Sequence, residues 1–319
     1  MDYGHVPGVD KPISRLVQGT VMVREDDLPY SFALLDAAFE AGITAFDTAR
    51  HYGNEATVGR WVGERGLRDQ VVIIGKGAHH SPERTRVTPA DIAADLDESL
   101  SKLSLDAIDL YLLHRDDPDV PVGPIVEALN DHLRAGKIRA FGGSNWTHER
   151  IAEANAYALE HGLVPFVASS PQFSLVAQID PPWRDCISIG GPEHAGAQRW
   201  YRDNQMAIFA WSSLAGGFLS GGFDRDHDGG LPDEVAQRAR RSYGSDANYE
   251  RLGLARTLAA ELGVSVPQIA LAYVVAQPLN LFAIAGGESA EEIAANAAAV
   301  ALRLPPDALA WLDLQRETR

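Results

Sequence analysis

The 319-residue sequence holds one cysteine, Cys186, so neither an internal disulfide nor a paired-cysteine metal motif is open to it. Long apolar runs are missing too: the stretch 269–276 is stopped by Gln277 and Pro278, far short of the ~20 residues that span a bilayer. Positive charge is scarce, with 28 Lys and Arg against 44 Asp and Glu and a formal charge of −16. That balance argues against nucleic acid or an anionic membrane as the main partner and leaves a small molecule as the expected one. The N-terminus opens with Asp2, Gly4, His5 and Pro7 and shows no basic stretch leading into an apolar run, so a cytoplasmic location is expected. No GxGxxG occurs, which removes the usual glycine fingerprint of a dinucleotide-binding Rossmann unit.

What is present is a repeat of short β-branched or apolar runs and longer amphipathic stretches from residue 15 onward, the pattern of parallel strands joined by crossover helices. Eight strand candidates lie at 16–19, 44–47, 71–76, 108–114, 138–142, 166–170, 207–211 and 282–285, with helices such as 29–41, 89–103 (Thr88 as N-cap) and 124–135 between them. Eight such units in this length fit an α/β fold of the closed (β/α)8 TIM barrel type, one domain over 1–319, better than an open doubly wound sheet. Segments 176–195 and 220–248 exceed ordinary connections and are expected as long loops over the catalytic face, after the sixth and seventh strands.

Barrel enzymes build their sites at the C-terminal ends of the strands. There the sequence places Asp47 and Tyr52, then Lys76, His114, Ser144 with Asn145, Gln172, and Trp211 with Ser212. Taken singly, a strand-end Asp is often a helix cap and a strand-end His a satisfied core group. Together they form a reagent set for carbonyl reduction. A carbonyl that accepts hydride needs a proton, which the Tyr52 hydroxyl donates if its pKa is lowered from ~10. Lys76 is expected to lower it, Asp47 to hold the lysine charged, and His114 to hydrogen-bond the carbonyl oxygen.

The segment GITAFDTARHYGNEATVG, residues 42–59, resembles the signature of the aldo-keto reductase superfamily, with Asp47, Thr48, Ala49, Tyr52, Glu55 and Gly59 at the matching positions. IIGKG supplies Lys76 and YLLHRDDP supplies His114, which completes the family's catalytic tetrad. GGSNW, SSPQFSL and AWSSLAGGFLSG resemble its nicotinamide-holding segments, and the likeness runs from about residue 14 to 315. The resemblance implies that Ser144 and Asn145 bond the carboxamide, that Gln172 assists, and that Trp211 stacks on the nicotinamide ring, although Trp211 also reads as core filler. The run Ser212, Ser213, Leu214 to Gly216 and Gly217 is expected to line the cofactor diphosphate with its backbone. The resemblance extends to the β subunits of voltage-gated potassium channels, so a regulatory nicotinamide-binding protein stands beside the reductase reading. A metal-dependent barrel hydrolase would want an HxH pair where the first strand ends in Gln18, Gly19 and Thr20.

The resemblance also frames the cofactor. NADP-specific relatives surround the 2′-phosphate with cations, whereas AGGESAEEIAAN, residues 285–296, offers Gly286, Glu288, Glu292 and Asn296 and no Lys or Arg. NAD(H) is therefore expected over NADP(H), unless Arg238, Arg240 or Arg241 swings in from the long loop. For substrate, His51, Arg115, Trp146 and Trp183 lie beside assigned residues or in the loop after the sixth strand. They suit a sugar, inositol or other polyol unless the tryptophans only pack loops. His79 and His80 lack an accompanying ligand set and read as surface loop, and no metal is assigned. Asp224, Asp226, Asp228 and Gly229 open like a calcium loop but meet Val235 at its twelfth position, so they read as solvated loop. Cys186 reads as an inert thiol, and oligomeric state is open.

Overall fold

Residues 1–319 are described by a computed structural model. Its strands are β1 (Tyr3–Val6), β2 (Val9–Ser14), β3 (Leu16–Gly19), β4 (Ala45–Asp47), β5 (Val72–Gly77), β6 (Ile108–Leu113), β7 (Ile138–Ser144), β8 (Ala168–Ser170), β9 (Ala207–Ala210) and β10 (Leu281–Ala285). From β3 to β10 they pair in parallel and in chain order. β10 closes on β3, with Ala283, Ile284 and Ala285 opposite Leu16, Val17 and Gln18. Helices cross over between the strands, so the molecule is a single (β/α)8 barrel.

Because side chains alternate along each strand, one set fills the barrel and the other meets the helices. Val17, Ala45, Val72, Ile74, Leu110, Leu112, Ala140, Ala168, Ala207, Phe209 and Phe282 form one buried cluster inside. Leu16, Phe46, Ile73, Tyr111, Leu113, Phe141 and Ile208 belong to the larger cluster under the helices. Small residues on β4, β7, β8 and β9 leave room for the Phe209 and Phe282 rings, stacked at 4.7 Å. At Gly142 only glycine fits, since a Cβ there would lie 2.1 Å from the Ala168 carbonyl oxygen.

The helix Pro89–Leu103 matches its sequence cues: Pro89 fixes the first turn and the Thr88 hydroxyl accepts the Asp91 N–H at 3.3 Å. Two features depart from the sequence reading. A β1–β2 hairpin precedes the barrel, and Val6, Val9 and Ile13 join the interior cluster as a plug at its N-terminal end. Its charged residues Asp10 and Lys11 mask the alternation. Segment 220–248 contains the helix Asp233–Tyr243, which buries Ala236, Ala239 and Tyr243 at helical spacing, so it is not one long loop. Segment 176–195 does lie over the strand ends, tied down where Gln172 exchanges backbone bonds with Ile187 and Ile189. No single helix is long and apolar enough to cross a membrane.

Candidate active site

The same alternation that fills the barrel builds the site. Ala45 then Asp47, Ile74 then Lys76, Leu112 then His114, and Phe209 then Trp211 point inward in turn, so the next inward layer above the apolar core is polar. Asp47 and Lys76 are 3% and 2% exposed. The lysine Nζ sits 2.5 Å from both carboxylate oxygens of Asp47 and 3.4 Å from the Tyr52 hydroxyl. Tyr52 arrives on a short 3-10 turn, Arg50–Tyr52, ended by Gly53 at φ +72°. Its ring stands edge-on to His114, centroids 5.7 Å apart.

Burial raises the pKa of Asp47 against the pull of Lys76, and the charge of Asp47 holds Lys76 above its ordinary value despite desolvation. Tyr52 corrects the sequence reading. Desolvation, with the Asp47 charge added, outweighs Lys76, so the phenol lies above its usual pKa. Asp47, at 2.5 Å, spends most of the lysine's charge. His114, buried and facing Lys76 and Arg115, is pushed far below its ordinary value and stays neutral, with Nδ1 unpartnered.

Around this centre the remaining residues divide. Asn145, at φ +60°, donates to the His114 carbonyl and the Ser144 hydroxyl, both 3.2 Å away, and Ser144 donates to the Ser170 carbonyl. Gln172 is fully buried, with its amide donating to Ser174 and accepting from Ser188. The Trp211 Nε1 is buried without a partner, and Trp183, half exposed, lies 6.0 Å from the Trp211 ring. Trp146 does not join them. It is fully buried against Phe166 in the layer under the helices and donates to the Arg115 carbonyl, because it follows Asn145 on the outward side.

His79 is the residue the sequence reading missed. Ala78, at φ +60°, turns the chain so that His79 stacks on His51 at 3.9 Å and meets His114 edge-on at 4.8 Å. Its place just past the end of β5 was the available signal. Burial holds His79 down to about 4.

The backbone beyond β9 and β10 offers a row of unpaired donors. After β9 the N–H groups of Ser212, Ser213, Leu214 and Gly216 make no hydrogen bond, while Ser212, Ala215, Gly216 and Gly217 take positive φ. After β10 those of Gly286 and Gly287 are also free, next to the N-terminus of the helix Ala290–Ala299. Such clustered donors suit a diphosphate. Farther along, Asn296 donates to the Gly286 carbonyl, and Glu292 accepts the Glu288 N–H at 2.7 Å and so caps its own helix. The three arginines expected on a mobile loop stand on the helix Asp233–Tyr243 instead. Arg240 holds Asp228 and two carbonyls, Arg241 holds Asp180 and Pro182, and Arg238 lies over Trp183.

At the C-terminal mouth of the closed parallel barrel the buried Lys76–Asp47 pair thus stands beside Tyr52 and neutral His114, with free backbone amides after β9 and β10. The aldo/keto reductase family pattern matches residues 15–314, and the chain belongs to that family, whose members use nicotinamide cofactors. It is 28% identical to the aldo-keto reductase yakc (NADP(+)) of Schizosaccharomyces pombe, over 85% of this chain and 78% of that protein. It is 29% identical to the 6-dehydroglucose reductase of Novosphingobium aromaticivorans, over 85% and 80%. A putative voltage-gated potassium channel subunit beta of Schizosaccharomyces pombe is 28% identical, over 90% and 84%.

Proposed function

We propose that the protein interconverts a carbonyl and an alcohol on a hydroxylated small molecule such as a sugar or polyol, with Tyr52 as general acid and base. The observation that carries this is the single Lys76 Nζ reaching Asp47 at 2.5 Å and the Tyr52 hydroxyl at 3.4 Å. A nicotinamide cofactor supplies or takes up the hydride. Ser144, Asn145, Gln172 and Trp211 would hold its ring end, and the free amides of Ser212, Ser213, Leu214, Gly216 and Gly286 its diphosphate. Tyr52, kept protonated by its surroundings, gives its proton to the oxygen as negative charge develops there. Lys76 steadies the phenolate left behind, and neutral His114 offers a ring N–H that fixes the carbonyl. His51 and Trp183 at the rim supply an imidazole and an aromatic face for a hydroxylated substrate. The relative named as a 6-dehydroglucose reductase supports a sugar-like substrate.

NAD(H) is the favoured cofactor in this reading. Glu288 is exposed beside the free amides after β10 and no Lys or Arg stands on residues 285–296. With Arg240 and Arg241 tied to Asp228 and Asp180, a 2′-phosphate would meet carboxylates. A kcat/KM ratio favouring NADPH by about tenfold or more would overturn this, and Glu288→Arg is expected to move the ratio toward NADPH. The activity itself is tested by mixing the purified protein with NADH or NADPH and a carbonyl panel rich in sugars and watching the near-ultraviolet absorbance of the reduced cofactor. Loss of absorbance is expected. Silence across the panel would favour a regulatory nicotinamide-binding role, the reading that the similarity to a channel subunit supports.

A further inference from the structure

Arg115 follows His114 directly past the end of β6 and is 6% exposed, yet it makes no ion pair. One Nη donates to the His114 carbonyl at 2.9 Å, and Nε is buried with no partner at all. Neighbouring carboxylates are committed elsewhere: Asp47 to Lys76, Asp116 to Arg150, and Asp185 to His80 and Arg184. A buried guanidinium without a counter-charge is costly to keep, and a site retains one where an anion arrives from outside. Its field reaches the reaction centre, since it helps hold His51, His79 and His114 neutral. A second arginine without an ion pair, Arg238, lies 5.1 Å over Trp183, itself 6.0 Å from Trp211.

We propose that the substrate carries a carboxylate, so that it is a hydroxylated oxo acid or aldehyde acid, and that Arg115 anchors this carboxylate while Tyr52 and His114 address the carbonyl. The proposal rests on the carbonyl–alcohol reading above and narrows it. Carboxylate is favoured over phosphate because one planar guanidinium, with one Nη already spent on the His114 carbonyl, matches one planar monoanion.

The test compares kcat/KM for matched pairs, glucose against glucuronate and butanal against succinic semialdehyde, with glucose 6-phosphate as a third arm. The acid is expected to be favoured by about tenfold or more, as a charge-assisted hydrogen bond dictates. Arg115→Gln should collapse that ratio mainly through KM, and Arg115→Lys should retain only part of it. A neutral substrate used as well as its acid, or a phosphate preferred to both, overturns the proposal while the carbonyl reading stands. Binding is read separately by titrating succinate, without cofactor, against tryptophan fluorescence and the unfolding midpoint. A response in the wild type that Arg115→Gln abolishes, with no carbonyl turned over, would leave the anion site in place and remove the carbonyl reading. Should Arg115→Gln fail to fold, the wild-type ratio and the succinate-induced rise in midpoint decide, and absence of both overturns the assignment.

Discussion

Removing Lys76 tests the buried pair at the centre of the site. At 2.5 Å and an effective dielectric of about 20, Lys76 and Asp47 attract by roughly 7 kcal/mol. That gross attraction is set against the desolvation of both ions, so breaking the pair from one side is expected to cost about 3–5 kcal/mol. In Lys76→Met the carboxyl of Asp47, already raised by burial, loses the charge that held it down, and its pKa climbs further. A carboxyl whose folded pKa is raised stabilises fully below its unfolded value of about 3.9, and that contribution is lost as pH rises through the folded value. The deficit of Lys76→Met relative to wild type is therefore small near pH 4.5 and large at about pH 8. Asp47→Asn in the same chain removes the orphaned charge. Urea unfolding of the wild type, both single variants and the double variant closes a cycle whose coupling energy should be about 3 kcal/mol or more at about pH 8. A coupling below about 1 kcal/mol, or a Lys76→Met deficit independent of pH, would refute the assignment of a charged, mutually dependent pair.

Tyr52→Phe is expected to lower kcat by about 10² to 10⁴ with little change in cofactor affinity, checked by single-turnover kinetics and fluorescence titration. The wild-type reduction rate should stay level from about pH 6 to 9, because the Tyr52 proton is lost only above its raised pKa, and an alkaline fall within that range would count against it. Glu55, buried and pushed up to about 7 by desolvation, stabilises as the neutral acid, so its contribution is lost as pH rises through about 7. Glu55→Gln should then gain up to about 3 kcal/mol over wild type near pH 8.5 and nothing near pH 4, read from denaturant midpoints. Gly59→Ala places a Cβ 2.0 Å from the Leu103 carbonyl oxygen, where the helices Glu55–Arg65 and Pro89–Leu103 touch. A loss of about 1–3 kcal/mol in thermal or urea unfolding is expected.

Most of the barrel was legible in the chain because each strand buried on both faces must be apolar in an unbroken run, and each crossover helix must show an apolar stripe. The expected strand 71–76 opens on the unbroken run Val71 to Ile74 and appears as β5, and 108–114, apolar from Leu110 to Leu113, appears as β6. The hairpin escaped because only one of its faces is covered, so Asp10 and Lys11 interrupt the pattern. The helix Asp233–Tyr243 escaped because its buried residues are two alanines, a serine and one tyrosine within a strongly polar segment.

For the site, the sequence by itself determined which groups stand on the inner face at the strand ends: Asp47, Lys76, His114 and Trp211 follow from the two-residue period, and Tyr52 from the turn after β4. Three outcomes belonged to the tertiary structure. Trp146, one residue past Asn145, went outward into the core and not to the substrate side. His79 came inward because Ala78 takes a left-handed conformation that nothing in the local sequence demands. The pKa of Tyr52 moved up and not down, since its sign depends on how far apart Lys76, Asp47 and the phenol finally lie. Alternation along a strand is a local property written in the order of residues, whereas burial, charge balance and pairing are set by distances between segments tens of residues apart, which exist only once the barrel has closed.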